Sequence, residues 1–525
     1  MPSFPLTESI LGGGLAGPDT SEDKHFDDPK RFIEMLDGRS VDPGSARTFP
    51  DFLPDLARLE WLRYRVESQG GAAFEPVDEP CVNPTMEIER LSWDLTQVIE
   101  SGFTSPPSSP VHEEWWVLGW LDPASGEPVF KGATQEDLLA LKLVAEGGDR
   151  AEHAAAAGVT VGALDSVIRR AVDRGILVAP KSRIRRDPHG FPGARDTPER
   201  FLVAQVFTLQ WHITHQCELH CRHCYDRTLP SPLTLEDGLR ILDDLRTFCW
   251  DRGVQGQVCF TGGNPLLHPD FMALYRAASD RGFSLSILGN PTSKSVLRKI
   301  LDIQRPDYYQ VSLEGLAEHN DHMRGAGHFN RVLGFLDALR DLEIDSQVML
   351  TLTRDNLDQV IELAGMLKGR VDDFTFNRLA QVGEGADIAL PDRDSYAAFL
   401  EAYVDAARAN PAIAWKDNLL NIVRDHREMG PFGGCTGFGC GAAFNFVAVL
   451  PDGEVHACRK FPSPLGNIPR QTIADVYDSP LAGRYRRGSD ACRSCALRPT
   501  CGGCMAVVHG QGLDVFRDLD PMCFY

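Results

Sequence analysis

The chain is long, moderately hydrophobic and strongly acidic. It has 525 residues, of which 43% are hydrophobic, so we expect two to four domains with sizeable cores. Its 53 basic and 74 acidic residues give a formal net charge of −21, which argues against broad nucleic-acid binding because an acidic surface repels phosphates. We find no run of about 18 apolar residues, so no membrane span is expected. The first residues lack the basic stretch and apolar run of a signal peptide, which makes the cytoplasm the default location.

The N-terminal segment, residues 1–75, has little regular patterning. Its first 30 residues are rich in Gly, Pro and Asp and are predicted to be mobile. Apolar residues at helical spacing predict a packing helix over residues 52–62. Further on, the Pro- and Ser-rich stretch 104–110 is predicted to be a loop or linker.

Residues 76–185 are predicted to form one small unit. A strand over 115–120, a turn and a return strand over 128–131 are followed by three short helices and a closing strand. The helices are expected near 135–146, 150–157 and 161–174, and the closing strand at 175–178. The pattern resembles DNA-binding winged helices and, equally, the peptide-recognition elements of ribosomal-peptide maturases, while a simple packing role stays open. The basic stretch 180–200 is predicted to be a solvated linker.

Strands and helices alternate strictly in residues 200–390. Strict alternation predicts parallel strands with crossover helices, hence an α/β fold built as a partial (β/α)6 TIM-like barrel with its chemistry at the C-terminal strand ends. The strands are expected at 203–213, 257–261, 284–289, 307–314, 346–352 and 373–379. The helices are expected at 234–252, 269–281, 293–303, 330–342 and 356–368. Bridging helices fill 391–430, with one predicted over 393–409, and the Cys- and Gly-rich residues 431–525 are expected to need a metal to hold them together.

The fourteen cysteines are clustered along the chain. Three lie between positions 217 and 224, and eight lie between positions 435 and 523. Such clusters in a large cytosolic chain indicate metal binding rather than disulfides. Only Cys81, Cys249 and Cys259 stand apart. The last two fall in a helical and a strand pattern and are predicted to be buried, whereas Cys81 is placed in a loop.

The first cysteine set follows the first predicted barrel strand, with the spacing Cys217-x3-Cys221-x2-Cys224. Three thiolates can hold three irons of a 4Fe–4S cube, and without a fourth cysteine nearby one iron keeps an open position. Zinc is the alternative, because a nearby histidine could complete four ligands. The position of the loop at a barrel strand's C-terminal end favours a reactive cluster. The histidines that could ligate zinc are His212, His215, His220 and His223.

This loop resembles the signature of the radical S-adenosylmethionine (SAM) superfamily, in which the amino and carboxylate groups of SAM chelate the open iron. The resemblance implies that the three cysteines are the catalytic cluster ligands. It also implies that Tyr225 is the aromatic residue that follows the third cysteine in that family.

A glycine-rich motif, Gly262-Gly263-Asn264-Pro265, follows the second predicted strand. Glycines at such a place let exposed backbone approach a ligand closely. The motif resembles the Gly-Gly-Glu-Pro element that binds the amino group of SAM in the family. Asn264 replaces the glutamate, and an amide oxygen can accept that hydrogen bond but brings no charge.

Four further residues are candidates for SAM contacts. Ser312, in Ser312-Leu313-Glu314-Gly315, and the following Arg324 resemble family elements that contact the ribose and carboxylate of SAM. Arginine suits a carboxylate because its fork donates two parallel hydrogen bonds. Asn290 follows the third strand. Leu379, near the end of the sixth strand, is placed either against adenine or in the apolar core.

The second cysteine set resembles the SPASM domain, a C-terminal extension of many radical SAM peptide maturases. Eight thiolates satisfy two 4Fe–4S clusters completely, although sequence alone leaves two zinc sites open. The resemblance implies one cluster on Cys435, Cys440, Cys458 and Cys504, and another on Cys492, Cys495, Cys501 and Cys523. Two residues separate Cys501 from Cys504, where three are usual in the family.

The resemblance implies reductive cleavage of SAM to a 5′-deoxyadenosyl radical, which removes a hydrogen from the substrate. Two auxiliary clusters favour a net oxidation of that substrate. Four stretches are similar to the thio(seleno)oxazole modification radical SAM maturases of selenobiotic peptides: 260–267, 310–316, 374–379 and 440–446. The partners implied are a ribosomal precursor peptide that contains cysteine or selenocysteine and a flavodoxin- or ferredoxin-like electron donor. No nucleic-acid or membrane partner is expected.

Two alternatives remain at this point. Sulfatase-maturase-like formylglycine generation would need an acidic base after the third cysteine of the first auxiliary cluster, where this chain has Arg459. An iron–sulfur redox-sensing regulator with a DNA-binding winged helix is disfavoured by the acidic net charge.

Overall fold

The computed structural model describes residues 4–11, 28–39, 50–70, 74–148, 150–194, 197–468 and 470–525. The chain divides into two compact units, Met1–Lys181 and Ser182–Tyr525. No helix among the residues described is both long and apolar enough to cross a membrane.

The first unit opens with helices α1 to α3, which are Pro5–Leu11, Pro29–Arg39 and Leu53–Glu67. Their apolar faces pack together, and the buried carboxylate of Glu60 on α3 accepts hydrogen bonds from the backbone of Leu6 and Thr7 at 2.7 and 3.1 Å. Burial raises the pKa of Glu60. The prediction of a mobile start is therefore wrong for α1, while 12–27 lie outside the described residues.

The rest of the first unit combines a small sheet with short helices. In chain order its elements are β1 Cys81–Val82, β2 Glu87–Asp94, α4 Thr96–Glu100, β3 Val111–Leu121, β4 Pro128–Gly132, α5 Gln135–Glu146, α6 Arg150–Ala157, α7 Val161–Asp173 and β5 Leu177–Val178. Strands β2, β3 and β4 form an antiparallel sheet, and β5 pairs with β1. The hairpin and three helices stand where the sequence predicts them, and the winged-helix assignment remains a prediction. Cys81 is in a strand and not in a loop.

The second unit is built on a nine-stranded sheet in the order β11-β10-β9-β8-β7-β6-β12-β13-β14. Its first six strands are β6 Val206–Thr214, β7 Gln255–Gly262, β8 Ser284–Leu288, β9 Tyr308–Ser312, β10 Ser346–Leu352 and β11 Asp373–Arg378. All five pairings among them are parallel, so their C-terminal ends meet at one edge. These six strands match the prediction for a partial (β/α)6 barrel to within about three residues.

Helices connect the six strands, as strict alternation predicts. They are α8 Leu235–Asp251, α9 Phe271–Asp280, α10 Lys294–Leu301, α11 Ala317–Arg324, α12 His328–Asp341 and α13 Val360–Leu367. Helices α8 and α10 begin at Thr234 and Ser293, whose side chains accept a hydrogen bond from the first turn. Buried apolar side chains from strands and helices form one continuous core. The crossover helices therefore cover the sheet and fix the strand ends that carry the loops.

The C-terminal part continues the same sheet. Its elements are α14 Arg393–Ala409, α15 Leu420–His426, β12 Phe446–Val449, β13 Glu454–His456, β14 Pro464–Asn467, α16 Ile473–Tyr477, α17 Pro480–Arg487 and α18 Met505–Gly510. Strand β12 pairs in parallel with β6, and β13 and β14 follow antiparallel. The cysteine-rich region thus shares a sheet with the barrel.

Residues of the basic stretch 180–200 also belong to this unit, and one of them contradicts the prediction of a solvated linker. Arg186 is buried, donates to the carbonyl oxygens of Phe438 and Cys440 at 3.1 and 2.7 Å, and lies over the ring of Phe444. Its guanidinium thus joins the basic stretch to the backbone of the cysteine-rich region.

Arg378, the last residue of β11, forms a fully buried ion-pair network. Its Nε donates to Asp417 at 2.8 Å, and its two terminal nitrogens donate to both oxygens of Asp520 at 2.8 and 2.7 Å. Asp520 also accepts a hydrogen bond from the backbone of Cys504 at 2.8 Å. The network joins the last barrel strand to the end of the chain.

Replacement Asp520→Asn leaves the Arg378 charge buried with one partner fewer. We expect a loss of about 3–5 kcal/mol in stability, because removing one member of a buried pair leaves an uncompensated charge. Differential scanning calorimetry should show a lower thermal midpoint for the second unit. The matched control is Asp394→Asn, because the Asp394 side chain is 94% exposed. If both changes lowered the thermal midpoint equally, the buried Arg378–Asp520 pair would not be the source of the stability.

His328, at the start of α12, is buried and its Nδ1 lies 3.1 Å from the Nδ2 of Asn320. Burial and the charge of Arg324 lower the pKa of His328 from 6.5 to about 4. The pKa of His328 is therefore lower in the folded state than in the unfolded state. Through this residue the free energy of unfolding is higher by about 3 kcal/mol above pH 6.5, and this difference is lost as the pH falls towards 4. We expect His328→Asn to flatten the fall of the thermal midpoint between pH 6.5 and 4. The exposed control His189→Asn should keep the wild-type slope.

Candidate functional site

The loop that carries Cys217, Cys221 and Cys224 follows β6 and is seated on the end of β7. The backbone amide of Asn264 donates to the carbonyl of Gln216 at 2.7 Å. A Cβ on Gly262 would lie 1.9 Å from the carbonyl oxygen of Thr214, and one on Gly263 would lie 2.2 Å from that of Gln216. Only glycine permits this contact, and Gly262 also has a φ of +132°.

Cys217 faces the end of β8. The side-chain amide of Asn290 donates to the Cys217 Sγ at 3.4 Å, and the hydroxyl of Tyr309 on β9 donates to the Asn290 carbonyl at 2.8 Å. The structure therefore brings Asn290 to the first cysteine, and its direct partner is the thiol.

Cys221 faces an ion pair at the end of β9. Arg324 points its Nη1 at the Cys221 Sγ at 3.7 Å, while its Nε and Nη2 donate to Glu314 at 2.8 and 2.5 Å. His223 Nε2 also lies 3.3 Å from Glu314. Burial alone would raise the pKa of Glu314, yet the charges of Arg324 and His223 hold it well below its usual range.

Arg324 also affects the protonation of the Cys221 thiol. Burial raises the pKa of the Cys221 thiol, and the positive charge of Arg324 opposes that rise. The guanidinium is therefore placed to stabilise a thiolate at Cys221, and its predicted contact with the SAM carboxylate stays a prediction. The pairing of Glu314 with Arg324 was not predicted, because it appears only when the two residues meet in the folded chain.

Cys224 and Tyr225 face the C-terminal part of the unit. The Cys224 Sγ lies 3.3 Å from the carbonyl of Asp226, whose carboxylate is paired with Arg459. The guanidinium of Arg459 lies 4.8 Å from the centre of the Tyr225 ring, which is 37% exposed. Arg459 directly follows Cys458, so this contact links the first cysteine loop to the second cysteine set.

The four other residues that were predicted to contact SAM lie in different surroundings. Asn264 is buried; its Oδ1 accepts from the backbone of Leu266 at 3.3 Å and its Nδ2 donates to both oxygens of Glu218 at 3.0 and 3.1 Å. Ser312 is half-buried at the end of β9, and Pro265 is buried beside the loop. Leu379 is 2% exposed and lies against Gly385, which places it in the core.

Among the described residues, two histidines of the loop contain buried nitrogen atoms without a hydrogen-bond partner, His215 Nε2 and His223 Nδ1. Buried polar atoms are rarely left unpaired, so these atoms fit a site that a bound group completes. The donor set of three thiolates is the chemistry that an iron–sulfur cluster with one open position requires.

Several of the eight C-terminal cysteines lie close enough to one another to interact electrostatically. The Cys440 thiol interacts with Cys435 and Cys504, and the Cys458 thiol interacts with Cys440 and Cys504. Separately, Cys492 interacts with Cys495 and Cys523, and Cys501 interacts with Cys523. The grouping into two sets of four that the resemblance to SPASM domains implies stays a prediction.

Burial raises the pKa of Cys458 to about 12 and that of Cys492 to about 11. Such thiols lose their protons only when a strong positive charge is nearby, and metal coordination supplies one. Lys460 is one cation beside the first set: burial lowers its pKa, but Cys504, Cys458 and Cys435 together raise it. All fourteen cysteines, each among the described residues, are free thiols. Within the described part of the chain, no group of three or more His, Cys, Asp or Glu side chains stands at the spacing of ligands to a single metal ion.

Two domain families match this chain. Residues 211–367 match the Radical SAM superfamily, and residues 440–504 match the SPASM iron–sulfur cluster-binding domain. The first range runs from the end of β6 to α13 and contains the three-cysteine loop, and the second contains six of the eight C-terminal cysteines.

Relatives of known name and structure share these regions. The chain is 25% identical over 312 residues to the antilisterial bacteriocin subtilosin biosynthesis protein AlbA of Bacillus subtilis, aligned over 56% of this chain and 66% of AlbA. It is 24% identical over 349 residues to the AdoMet-dependent heme synthase of Methanosarcina barkeri, aligned over 60% and 96% of the two chains. The fold is similar to that of Streptococcus suis SuiB bound to precursor peptide SuiA, with a TM-score of 0.50 at 17% identity over 78% of this chain and 96% of SuiB.

The chain spans just under two thirds of AlbA, and the likeness to SuiB shows the fold alone. The two domain matches imply 4Fe–4S clusters and SAM as cofactors. The cysteine loop on the parallel sheet thus lies in a radical SAM domain, and the chain joins that domain to a SPASM domain.

Proposed function

We propose that this protein is a radical SAM maturase that oxidatively modifies a ribosomally made peptide containing cysteine or selenocysteine. One observation supports the proposal: the loop with Cys217, Cys221 and Cys224 follows β6, and β12, the parallel neighbour of β6, lies in the region that contains eight further free cysteines. When bound, SAM supplies a 5′-deoxyadenosyl radical after one-electron cleavage, and the chain's own residues position it and exclude water.

The three thiols after β6 would ligate the SAM-binding cluster. Their surroundings support this assignment, because Asn290 donates to Cys217 and Arg324 donates to Cys221. Hydrogen bonds and positive charge stabilise thiolates and tune the clusters they bind. The open position would face the convergent strand ends, where a substrate can enter.

The two four-thiol sets would each hold a fully ligated cluster. A cluster whose irons are all ligated by protein cannot coordinate a substrate. These two clusters would therefore accept and pass on the electron that the substrate loses when it is oxidised. Lys460 supplies a positive charge beside Cys458 and Cys504. Positive charge near a cluster favours its reduced form and suits an electron acceptor. A flavodoxin- or ferredoxin-like protein would supply the electron for SAM cleavage.

A peptide substrate is supported by the named relatives, one of which acts in bacteriocin biosynthesis and another of which binds a precursor peptide. The thio(seleno)oxazole type of product is proposed from the motif resemblance alone. Residues 76–185 would act as the recognition element for the leader part of that peptide. A sheet of three antiparallel strands with helices beside it offers a strand edge to an extended peptide.

The formylglycine alternative needs an acidic base after the third cysteine of the first auxiliary set. Arg459 occupies that place, where its guanidinium pairs with Asp226 and covers Tyr225. An arginine does not lose its proton in proteins, so it cannot act as that base. Oxidation of another kind is therefore the reaction we favour.

Anaerobic reconstitution with iron and sulfide should give roughly twelve irons per chain, as three cubane clusters require. We expect Cys221→Ala to lose about four of these irons and all release of 5′-deoxyadenosine from SAM and dithionite, because one thiolate of the SAM-binding cluster is missing. Cys81→Ser is the matched control and should behave like the wild type, since it lies in the first unit. Cleavage of SAM by the Cys221 variant would contradict the site assignment.

Cys458→Ala separates SAM cleavage from substrate oxidation. We expect this variant to form 5′-deoxyadenosine but to yield little modified peptide, because the electron acceptor is lost while the SAM-binding loop is intact. Mass spectrometry of a cysteine-rich peptide encoded beside the enzyme should show loss of two hydrogen atoms per oxidised bond with the wild type only. Equal product from both proteins would argue against an electron-accepting role of that cluster.

A further inference from the structure

We propose that the buried guanidiniums of Arg186 and Arg498 are the countercharge that stabilises the reduced form of one auxiliary cluster. That cluster, called the Cys440 cluster below, is the one predicted on Cys435, Cys440, Cys458 and Cys504. The inference rests on the proposed function, since it takes the eight C-terminal cysteines to hold two iron–sulfur clusters. It starts from two positive charges in the second unit that are almost fully buried, with Arg186 5% exposed and Arg498 4% exposed.

The two arginines meet at one aromatic ring. The guanidinium carbon of Arg186 lies 6.0 Å from the centre of the Phe191 ring, and that of Arg498 lies 5.6 Å from the same centre. Burial and the charge of Arg498 lower the pKa of Arg186 to about 9, whereas negative charge at Cys440 opposes that fall. Like charges repel, so a nearby anion would stabilise both guanidiniums.

The hydrogen bonds of the two guanidiniums go to neutral groups. Arg186 donates from Nη1 to the carbonyl of Arg486 at 3.0 Å and from Nη2 to that of Cys440 at 2.7 Å, and its buried Nε has no partner among the described residues. Arg498 donates to the carbonyl of Arg487. Carbonyl groups carry no net charge, so these contacts leave both positive charges uncompensated.

No carboxylate in the described part of the chain forms an ion pair with either arginine. Asp520 is the acidic residue whose charge acts on Cys492, but its two oxygens accept from Arg378 at 2.8 and 2.7 Å. A buried charge without a partner is costly. We therefore expect a bound anion to complete the surroundings of the two arginines.

The cysteines stand where that anion would be. A Cβ on Gly502 would lie 2.4 Å from the Arg498 Nη1 and 3.8 Å from the Cys440 Cβ, so the guanidinium and the Cys440 side chain meet at this glycine. The charge of Arg498 also acts on the thiols of Cys440 and Cys492. A cluster held by four thiolates is an anion, and each electron that it accepts adds one negative charge. Nearby positive charge therefore favours its reduced form.

The charges around the other predicted set have the opposite sign. Asp520 and Asp417 add to the rise in the pKa of Cys501, whereas Lys460 stands beside Cys458 together with the two arginines near Cys440. The Cys440 cluster is thus the better placed of the two to hold an electron. In this step the substrate radical loses one electron and one proton, and the Cys440 cluster gains the electron.

The test is a potentiometric titration of the reconstituted full chain, followed by electron paramagnetic resonance. The signal that responds to SAM belongs to the SAM-binding cluster, and the auxiliary signal that Cys458→Ala removes or alters belongs to the Cys440 cluster. We expect Arg186→Gln and Arg498→Gln each to make reduction of this cluster about tenfold less favourable, because each removes a unit charge at an effective dielectric constant of about 20. For one electron that is a shift of about 59 mV to lower potential. A reduction equilibrium unchanged within about twofold in both variants would overturn the proposal.

Arg186→Lys and Arg498→Lys separate charge from packing. Lysine keeps the positive charge but lacks the planar fork of donors that binds the carbonyl groups. We expect the lysine variants to reduce the Cys440 cluster nearly as readily as the wild type does. Equal shifts in the lysine and glutamine variants would overturn the proposal. If only the glutamine variants lost the cluster, the charge would be required; if both kinds lost it, the arginines would be structural and the proposal would fail.

Arg393→Gln is the matched control, because the Arg393 side chain is 60% exposed and its charge is screened by solvent. It should leave the midpoint potential of the Cys440 cluster at the wild-type value. Reconstituted wild type that showed only the SAM-binding cluster would refute the proposed function itself. Wild type with both auxiliary signals, together with glutamine variants of unchanged potential, would refute this inference alone.

Discussion

The close seating of the first cysteine loop on the end of β7 is the constraint on which the site depends. Gly262 and Gly263 let two backbones meet where any Cβ would collide with a carbonyl oxygen. That contact sets the height of the loop above the sheet, and with it the distances from Cys217 to Asn290 and from Cys221 to Arg324. Preorganisation of this kind lets a reactive centre keep its geometry without rearranging when a ligand arrives.

Charge compensation is the second theme of the second unit. Its buried interior contains ion pairs at Glu314–Arg324 and Arg378–Asp520 and thiols with raised pKa values. Each buried charge is costly unless it is paired and hydrogen-bonded. The pairs lie at the C-terminal ends of β9 and β11, where Arg324 opposes the rise in the pKa of Cys221, whereas Asp417 and Asp520 add to the rise in the pKa of Cys501.

Much of the barrel could be predicted because its signals are local. Apolar runs of strand length alternate with helical periodicity, and each strand stands within about three residues of its predicted place. The three-cysteine loop and the glycine motif could also be predicted, because each has a characteristic residue spacing. The grouping of the eight later thiols followed from resemblance, since spacing alone allows many pairings.

The remaining features depend on contacts between distant residues. Nothing in the local sequence indicates that Arg186 is buried against the ring of Phe444, because a basic stretch usually predicts an exposed linker. The ion pair of Glu314 with Arg324 depends on side chains that meet only when the chain is folded. The folded helix Pro5–Leu11 likewise depends on Glu60, more than fifty residues away.

The pairing of β12 with β6 has a consequence for how the protein is assembled. Phe446 pairs with Thr208, so the strand that leads into the first cysteine loop has its second neighbour only after most of the chain has been made. Until then β6 is an open edge, the kind of surface that invites pairing with other chains. A chain that ends before β12 would therefore leave the strand that precedes the first cysteine loop unpaired on one side.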